Sequence, residues 1–145
     1  VAPTAPPLFV EKTANQTVNN STTLVSDTHL KFTMVANKRY AVWGCILMIT
    51  PNTAEFDFKW LLPGSCTIDG SYDLSPVNDG GVFDFTENSE FAIQSDGSLQ
   101  GASWSGVIVA DGSGGVAQYQ WAQNSAVAGN TTLYAGSWFS YKLLN

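Results

Sequence analysis

Residues 40 to 49 read Tyr40-Ala41-Val42-Trp43-Gly44-Cys45-Ile46-Leu47-Met48-Ile49. The run holds no charged side chain. At ten residues it is too short to cross a bilayer as a helix, which takes about 20. Turn signals bracket it, Ala36-Asn37-Lys38 before and Pro51-Asn52 after. A short apolar run between turns, with β-branched and aromatic residues inside, reads as a strand. Both alternating sets are apolar, so the strand is expected in the centre of a sheet and covered on both faces.

Outward from this run the period stays at two. Leu30, Phe32 and Met34 alternate with Lys31 and Thr33, and Phe56, Phe58, Trp60 and Leu62 alternate with Asp57, Lys59 and Leu61. Ala117, Tyr119 and Trp121 alternate with Gln118, Gln120 and Ala122; Phe139, Tyr141 and Leu143 alternate with Trp138, Ser140 and Lys142. Val82 to Phe85 and Val107 to Ala110 make two shorter runs. Further reversals are expected at Pro63-Gly64, Asp69-Gly70, Asp79-Gly80-Gly81, Asp96-Gly97, Asp111-Gly112 and Gly129-Asn130. No window shows a helical stripe. The expected fold is all-β, an antiparallel β-sandwich or jelly-roll-like domain of about 8–10 short strands. Residues 11–145 form that one domain, and residues 1–10 an extended arm. Pro3, Pro6 and Pro7 restrict the arm to a polyproline-like path, and Leu8 and Phe9 are its apolar anchors.

Charged residues make up 12% of the 145, about half the usual share, and aromatics another 12%. That composition excludes intrinsic disorder. Six basic against twelve acidic side chains, a net charge of −6, exclude a general nucleic-acid binder, which needs a Lys/Arg surface. Five of the six basic residues precede residue 60, and none lies between Trp60 and Tyr141, where eight acids fall. The expectation is a polar molecule with its near-neutral arm side docked and its acidic side outward. Residues 1–7 lack the basic start and apolar core of a secretion signal, so assembly in a host cytoplasm is expected. In that reducing setting Cys45 and Cys66 are expected as free thiols.

Chemistry-bearing patterns are few. His29 is the only histidine and reads as a solvated residue at the start of a strand. No nucleophile elbow, calcium loop or phosphate loop occurs. Asp57, Asp84, Glu87 and Glu90 are the acids available for a glycosidase-type pair, if folding brought two together in a cleft. Among the tryptophans, Trp104 in a polar, Gly-flanked stretch is the expected surface residue, and the rest are expected mostly in the core. Asn15, Asn19, Asn20 and Asn130 match the glycosylation acceptor pattern but read more simply as turn and strand-face residues.

Two segments carry a resemblance. Residues 13–32 read TANQTVNNSTTLVSDTHLKF, and residues 116–139 read VAQYQWAQNSAVAGNTTLYAGSWF, with FDFKW at 56–60 between them. Together they are similar to a family of small all-β proteins and domains of tailed-phage virions and prophages. Its members occur as head decorations and as tail or fibre components. The resemblance implies a non-enzymatic virion protein without catalytic residues, cofactor or metal. The expected role is a cement subunit on the outer head surface. Its partners would be the major capsid protein and copies of itself, as a homotrimer, with no nucleic acid or membrane. The arm, through Pro3, Pro6, Pro7, Leu8 and Phe9, would staple neighbouring subunits. The alternative is a tail-fibre domain that recognises host surface glycan.

Overall fold

Alternation becomes strand after strand in the computed structural model, which describes residues 5–75, 79–85 and 90–144. The strands are β1 (Leu8–Glu11), β2 (Gln16–Asn19), β3 (Val25–Met34), β4 (Arg39–Ile49), β5 (Phe56–Leu61), β6 (Thr67–Ser75), β7 (Asp79–Phe85), β8 (Phe91–Ile93), β9 (Gln100–Val109), β10 (Gly115–Gln123), β11 (Asn130–Leu133) and β12 (Trp138–Leu144). They form two antiparallel sheets. The larger runs β1-β12-β4-β9-β6-β7, and β11, paired with β2, joins β4 beyond the end of β12. The smaller runs β3-β10-β5-β8. Among the described residues no helix is long and apolar enough to cross a membrane.

The core lies between the sheets. From β4 come Tyr40, Val42, Ile46 and Met48; from the smaller sheet come Leu30, Phe32, Phe56, Phe58, Trp60, Tyr119 and Trp121. Rings organise it: Phe32 stacks on Tyr141 at 4.2 Å, Phe56 on Trp121 at 5.7 Å, and Trp60 meets Phe139 edge-on at 5.3 Å. Such pairs each add roughly 0.5–1.5 kcal/mol beyond the area they bury. The sandwich is thus the expected one, with β4 central between β12 and β9.

Four details differ from the sequence reading. Among the described residues twelve strands form, β3, β4 and β9 of them long; the sequence reading has fewer because β1, β2, β8 and β11 carry only three or four residues each, too few to show a period. Asp69-Gly70 and Asp79-Gly80-Gly81 are not reversals. They lie inside the β6–β7 ladder, with Asp69 opposite Asp84 and Gly81 opposite Tyr72. Gly70 faces Gly106 of β9, and a Cβ on either would strike backbone of the other strand. Glycine serves close approach there, not a turn. His29 lies within β3 rather than at its start. Finally, only one face of β4 is fully buried; Ala41, Trp43, Cys45, Leu47 and Ile49 are half-buried on the other.

The two segments that carry the family resemblance fold against each other. β2 pairs with β11, with Thr17 and Thr132 hydroxyls 2.9 Å apart and Asn19 donating to Asn130 at 3.0 Å. The buried Gln123 side chain accepts from the Ser21 and Val127 amides and donates to the Gly129 carbonyl. Buried Thr50 and Thr131 meet at 2.6 Å. These residues, all but Thr50 within the two segments, hold strands and loops together.

Candidate docking surface

The N-terminal segment joins the domain's own sheet. Leu8 to Glu11 pair with β12 in the register Leu8↔Tyr141, Phe9↔Ser140, Val10↔Phe139 and Glu11↔Trp138. Phe9 stacks on Trp138 at 5.4 Å yet stays 60% exposed, and Leu8 is 56% exposed. Pro6 and Pro7 are exposed and precede the strand; Pro3 lies outside the described residues. So Leu8, Phe9 and Val10, expected in the arm, are the edge strand of the larger sheet. Beside them runs an apolar groove of about 300 Å³ whose walls include Pro6, Leu8, Val35, Tyr40, Tyr141 and Leu143. Burial, with Tyr40 adding to it, pushes the Tyr141 hydroxyl up, still further from ionisation at neutral pH. The Tyr40 hydroxyl accepts the Val35 amide at 2.8 Å and fixes the end of β3 over the groove.

Immediately behind the edge strand is a pin that the sequence reading missed. Lys12 donates to Asp27 at 2.5 Å, and both side chains are fully buried. The Lys12 backbone donates to the Ser137 carbonyl and accepts from the Gly136 amide, each at 2.8 Å. Asp27 in turn organises a bulge. The β3–β10 register passes from Ser26↔Gln120 to Lys31↔Gln118, so residues 27–30 stand opposite Tyr119 alone. One Asp27 oxygen accepts the His29 amide at 2.8 Å and the Leu30 amide at 2.9 Å, and Gln118 donates to the Asp27 carbonyl at 2.7 Å. His29 sits on this bulge, half-buried between the Thr28 and Thr13 hydroxyls at 2.9 and 3.1 Å. No spacing rule joins Lys12 to Asp27; only the fold brings them together.

The outward face of the larger sheet is a second surface. Alternation places Trp43, Cys45 and Leu47 of β4 on it beside Ser105, Ser103 and Gly101 of β9, their register partners. Ser71 and Asp73 of β6 follow beyond, and Ser140 and Trp138 of β12 on the near side. A shallow depression of about 250 Å³ lies over Ser71, Ser103, Ser105 and Asp73. Trp104, expected at the surface, faces inward instead. Its ring meets Trp60 edge-on at 5.2 Å, and its indole nitrogen is buried without a partner. Trp43, Trp104 and Trp138 are all half-buried, Trp43 and Trp138 on the outward face. Gly44, in register between Phe139 and Trp104, lets β12 approach closely, since a Cβ there would strike the Trp138 carbonyl oxygen and the Phe139 Cα and Cβ.

The candidate acids separate. Asp57 is buried on the outward side of the smaller sheet, opposite Ala122 and Ala92. Burial, reinforced by the Glu90 carboxylate, raises its pKa from 3.8 to about 6. Glu90 also meets Lys59 at 3.5 Å. Asp84 stands in β7 opposite Asp69, on the other sheet, and Glu87 lies outside the described residues. Asp111 and Asp96 hold turns. Asp111 accepts from the Ser65 and Ser113 amides at 2.8 Å each, and Asp96 accepts from Ser98, so both carboxyls are held below their usual range. Cys45 and Cys66 are free thiols, Cys66 buried. Among the described residues no group of three or more His, Cys, Asp or Glu is placed to hold a metal ion.

No protein-family profile matches the chain, and no curated protein matches it. Among solved structures, a chain in the structure of infectious bursal disease virus Gx strain aligns over 97% of this chain at 10% identity and a TM-score of 0.20. This chain spans 39% of that one.

Proposed function

We propose that this protein is a non-enzymatic structural component of a virus particle, a cement or decoration subunit on the outer head surface of a tailed phage. The family resemblance of residues 13–32 and 116–139 supports a virion role. One observation carries the docking mode: the residues before Leu8 leave an edge strand beside an apolar groove, and that strand is tied to the core by the buried Lys12–Asp27 pair.

The mechanism follows from that geometry. β1 is the last strand of its sheet, so one edge of its backbone faces away from β12. A strand of the major capsid protein can add there, with main-chain hydrogen bonds giving affinity and the groove giving specificity. Pro6 and Pro7 lower the ordering cost of the segment that precedes it. Load on that segment passes through β1 and Lys12 into the sandwich. Many such modest contacts over a head sum to a strong reinforcement.

The test is reconstitution on undecorated heads. The full chain should bind in copy numbers comparable to the major capsid protein. A variant lacking residues 1–7, which spares all of β1, should stay folded and bind at least about tenfold more weakly. Full occupancy by the truncated chain sinks the arm mechanism. Native particles that carry only a few copies point to the tail-fibre role instead.

A further inference from the structure

The outward face of the larger sheet has the composition of an interface centre. Phe9, Trp138, Ser140, Trp43, Cys45, Leu47, Ser103 and Ser105 carry no charge, and charges stand at its rim. Charge-depleted, aromatic-bearing centres with polar rims mark protein–protein contacts. The face is also divided lengthwise. β4 presents bulk, with Trp43, Cys45 and Leu47, where its neighbour β9 presents small residues, Ser105, Ser103 and Gly101. The small side is open enough to leave the depression over Ser103 and Ser105. The rim is divided the same way. Lys142 of β12 and Asp69 of β6 lie in one row, at opposite margins of the four strands β12-β4-β9-β6.

We propose that a second copy of this chain packs on this face, related by a twofold axis that runs along the strands between β4 and β9. Such a rotation exchanges β4 with β9 and β12 with β6 while keeping each row in place. Trp43 then enters the space over the partner copy's small Ser105 position, and Leu47 covers its Gly101 position. Lys142 of each copy meets the acidic margin at Asp69 of the other, and the contact forms twice, as an isologous pair requires. The bulk-to-small match supplies shape and the crossed charges supply register. The area reaches the lower end of what a specific contact needs. β12, β4, β9 and β6 run 7, 11, 10 and 9 residues. At a rise of about 3.4 Å and a strand spacing of about 4.8 Å they present roughly 600 Å². Specific interfaces bury about 600–1,000 Å² per partner. Two stacked sheets also accept the aligned crossing near −30° that strand twist imposes.

The contact belongs to the free chain, so its test is separate from any binding to heads. Sedimentation velocity over about 1–100 μM should give a species of twice the 15.5 kDa chain mass. Ser105 is exposed, and Ser105→Arg fills the space that Trp43 needs while leaving the fold intact, as near-UV circular dichroism would verify. That variant should sediment as a monomer, with dissociation raised at least about 100-fold. Lys142→Glu should weaken the pair roughly tenfold, and Asp69→Lys added to it should restore most of the loss. A wild-type chain that stays monomeric, a trimer in place of the pair, or a dimer indifferent to Ser105→Arg overturns the proposal. So does a double variant no tighter than Lys142→Glu alone.

Discussion

At the scale of single residues, the fold turns on Lys12 and Asp27. Removing two charges from water costs several kcal/mol per ion, so their pairing is weak evidence of net stability. Breaking it is another matter. Lys12→Met leaves a buried carboxylate without its cation and should lower the unfolding free energy by about 3 kcal/mol in urea titrations. Asp27→Ala also frees the His29 and Leu30 amides and should cost more, about 4–5 kcal/mol. The double variant should cost less than the sum. A loss under about 1 kcal/mol for Lys12→Met would mean that its ammonium reaches water. Asp57 acts with the opposite sign. Its pKa rises from 3.8 unfolded to about 6 folded, through burial first and Glu90 second. Between those values the folded state holds more protons, so stability falls as pH rises from about 4 to about 6. Asp57→Asn should remove that slope and add about 1 kcal/mol at pH 7, after allowance for solvent screening. Thermal midpoints of both proteins across that range measure it. Neither behaviour was legible in the sequence. In the sequence Lys12 is just one of five basic residues before residue 60, and Asp57 is the polar half of an alternating strand. What buries them is the chain folded over them, which spacing does not record.

At the scale of elements, alternation identified β4, β5, β10 and β12 with little error, since each buries one face over six residues or more. It caught β3 only over Leu30–Met34, because the bulge at residues 27–30 breaks the period before that. It failed where glycine carried two meanings. Asp69-Gly70 has the composition of a turn, but β6 needs Gly70 because β9 crosses close to it at Gly106. Two glycines in register make one contact between backbones. Gly106→Ala puts a methyl against the Asp69 carbonyl oxygen and the Gly70 Cα, backbone atoms of β6 with nothing flexible to yield. It should destabilise the fold by about 2–3 kcal/mol and loosen β6 and β7 first, read as faster amide exchange there than in β10. Uniform protection after the substitution would show that the two ladders do not open separately. The tryptophans failed for a related reason. Trp104 sits in a polar stretch, yet register places it opposite Gly44 and turns it toward Trp60, while Trp43, inside the most apolar run of the chain, faces outward. Local polarity did not decide burial. The side of the sheet did, and that depends on which strands are neighbours.

At the scale of the whole molecule, the uneven charge along the chain acquires a spatial meaning. The sheet order places β1 and β12 at one margin of the larger sheet and β6 and β7 at the other. Four acids of the middle of the chain, Asp69 and Asp73 on β6 and Asp79 and Asp84 on β7, thereby lie at the margin away from β1. Asp96 and Asp111 are engaged in turns, and the Asp111 carbonyl accepts the Asn37 amide, two residues from Val35 of the rim. The rim itself exposes Pro6, Leu8, Phe9, Val35 and Leu143, none of them charged. If docking on a head uses this rim, as proposed, its free energy comes from apolar burial and main-chain hydrogen bonds, both nearly indifferent to screening. A chain of net charge −6 that docked by its acidic margin would behave differently, because exposed ion pairs weaken steeply as the Debye length shrinks. The affinity for undecorated heads should therefore change by less than about threefold between about 0.05 and about 0.5 M sodium chloride. Sulfate at equal ionic strength should strengthen it, since excluded salts favour apolar burial. A tenfold or larger fall with sodium chloride would assign the docking to the acidic margin. Loss of binding in Leu8→Asp/Phe9→Asp, with the salt response of the wild-type protein flat, would assign it to the rim.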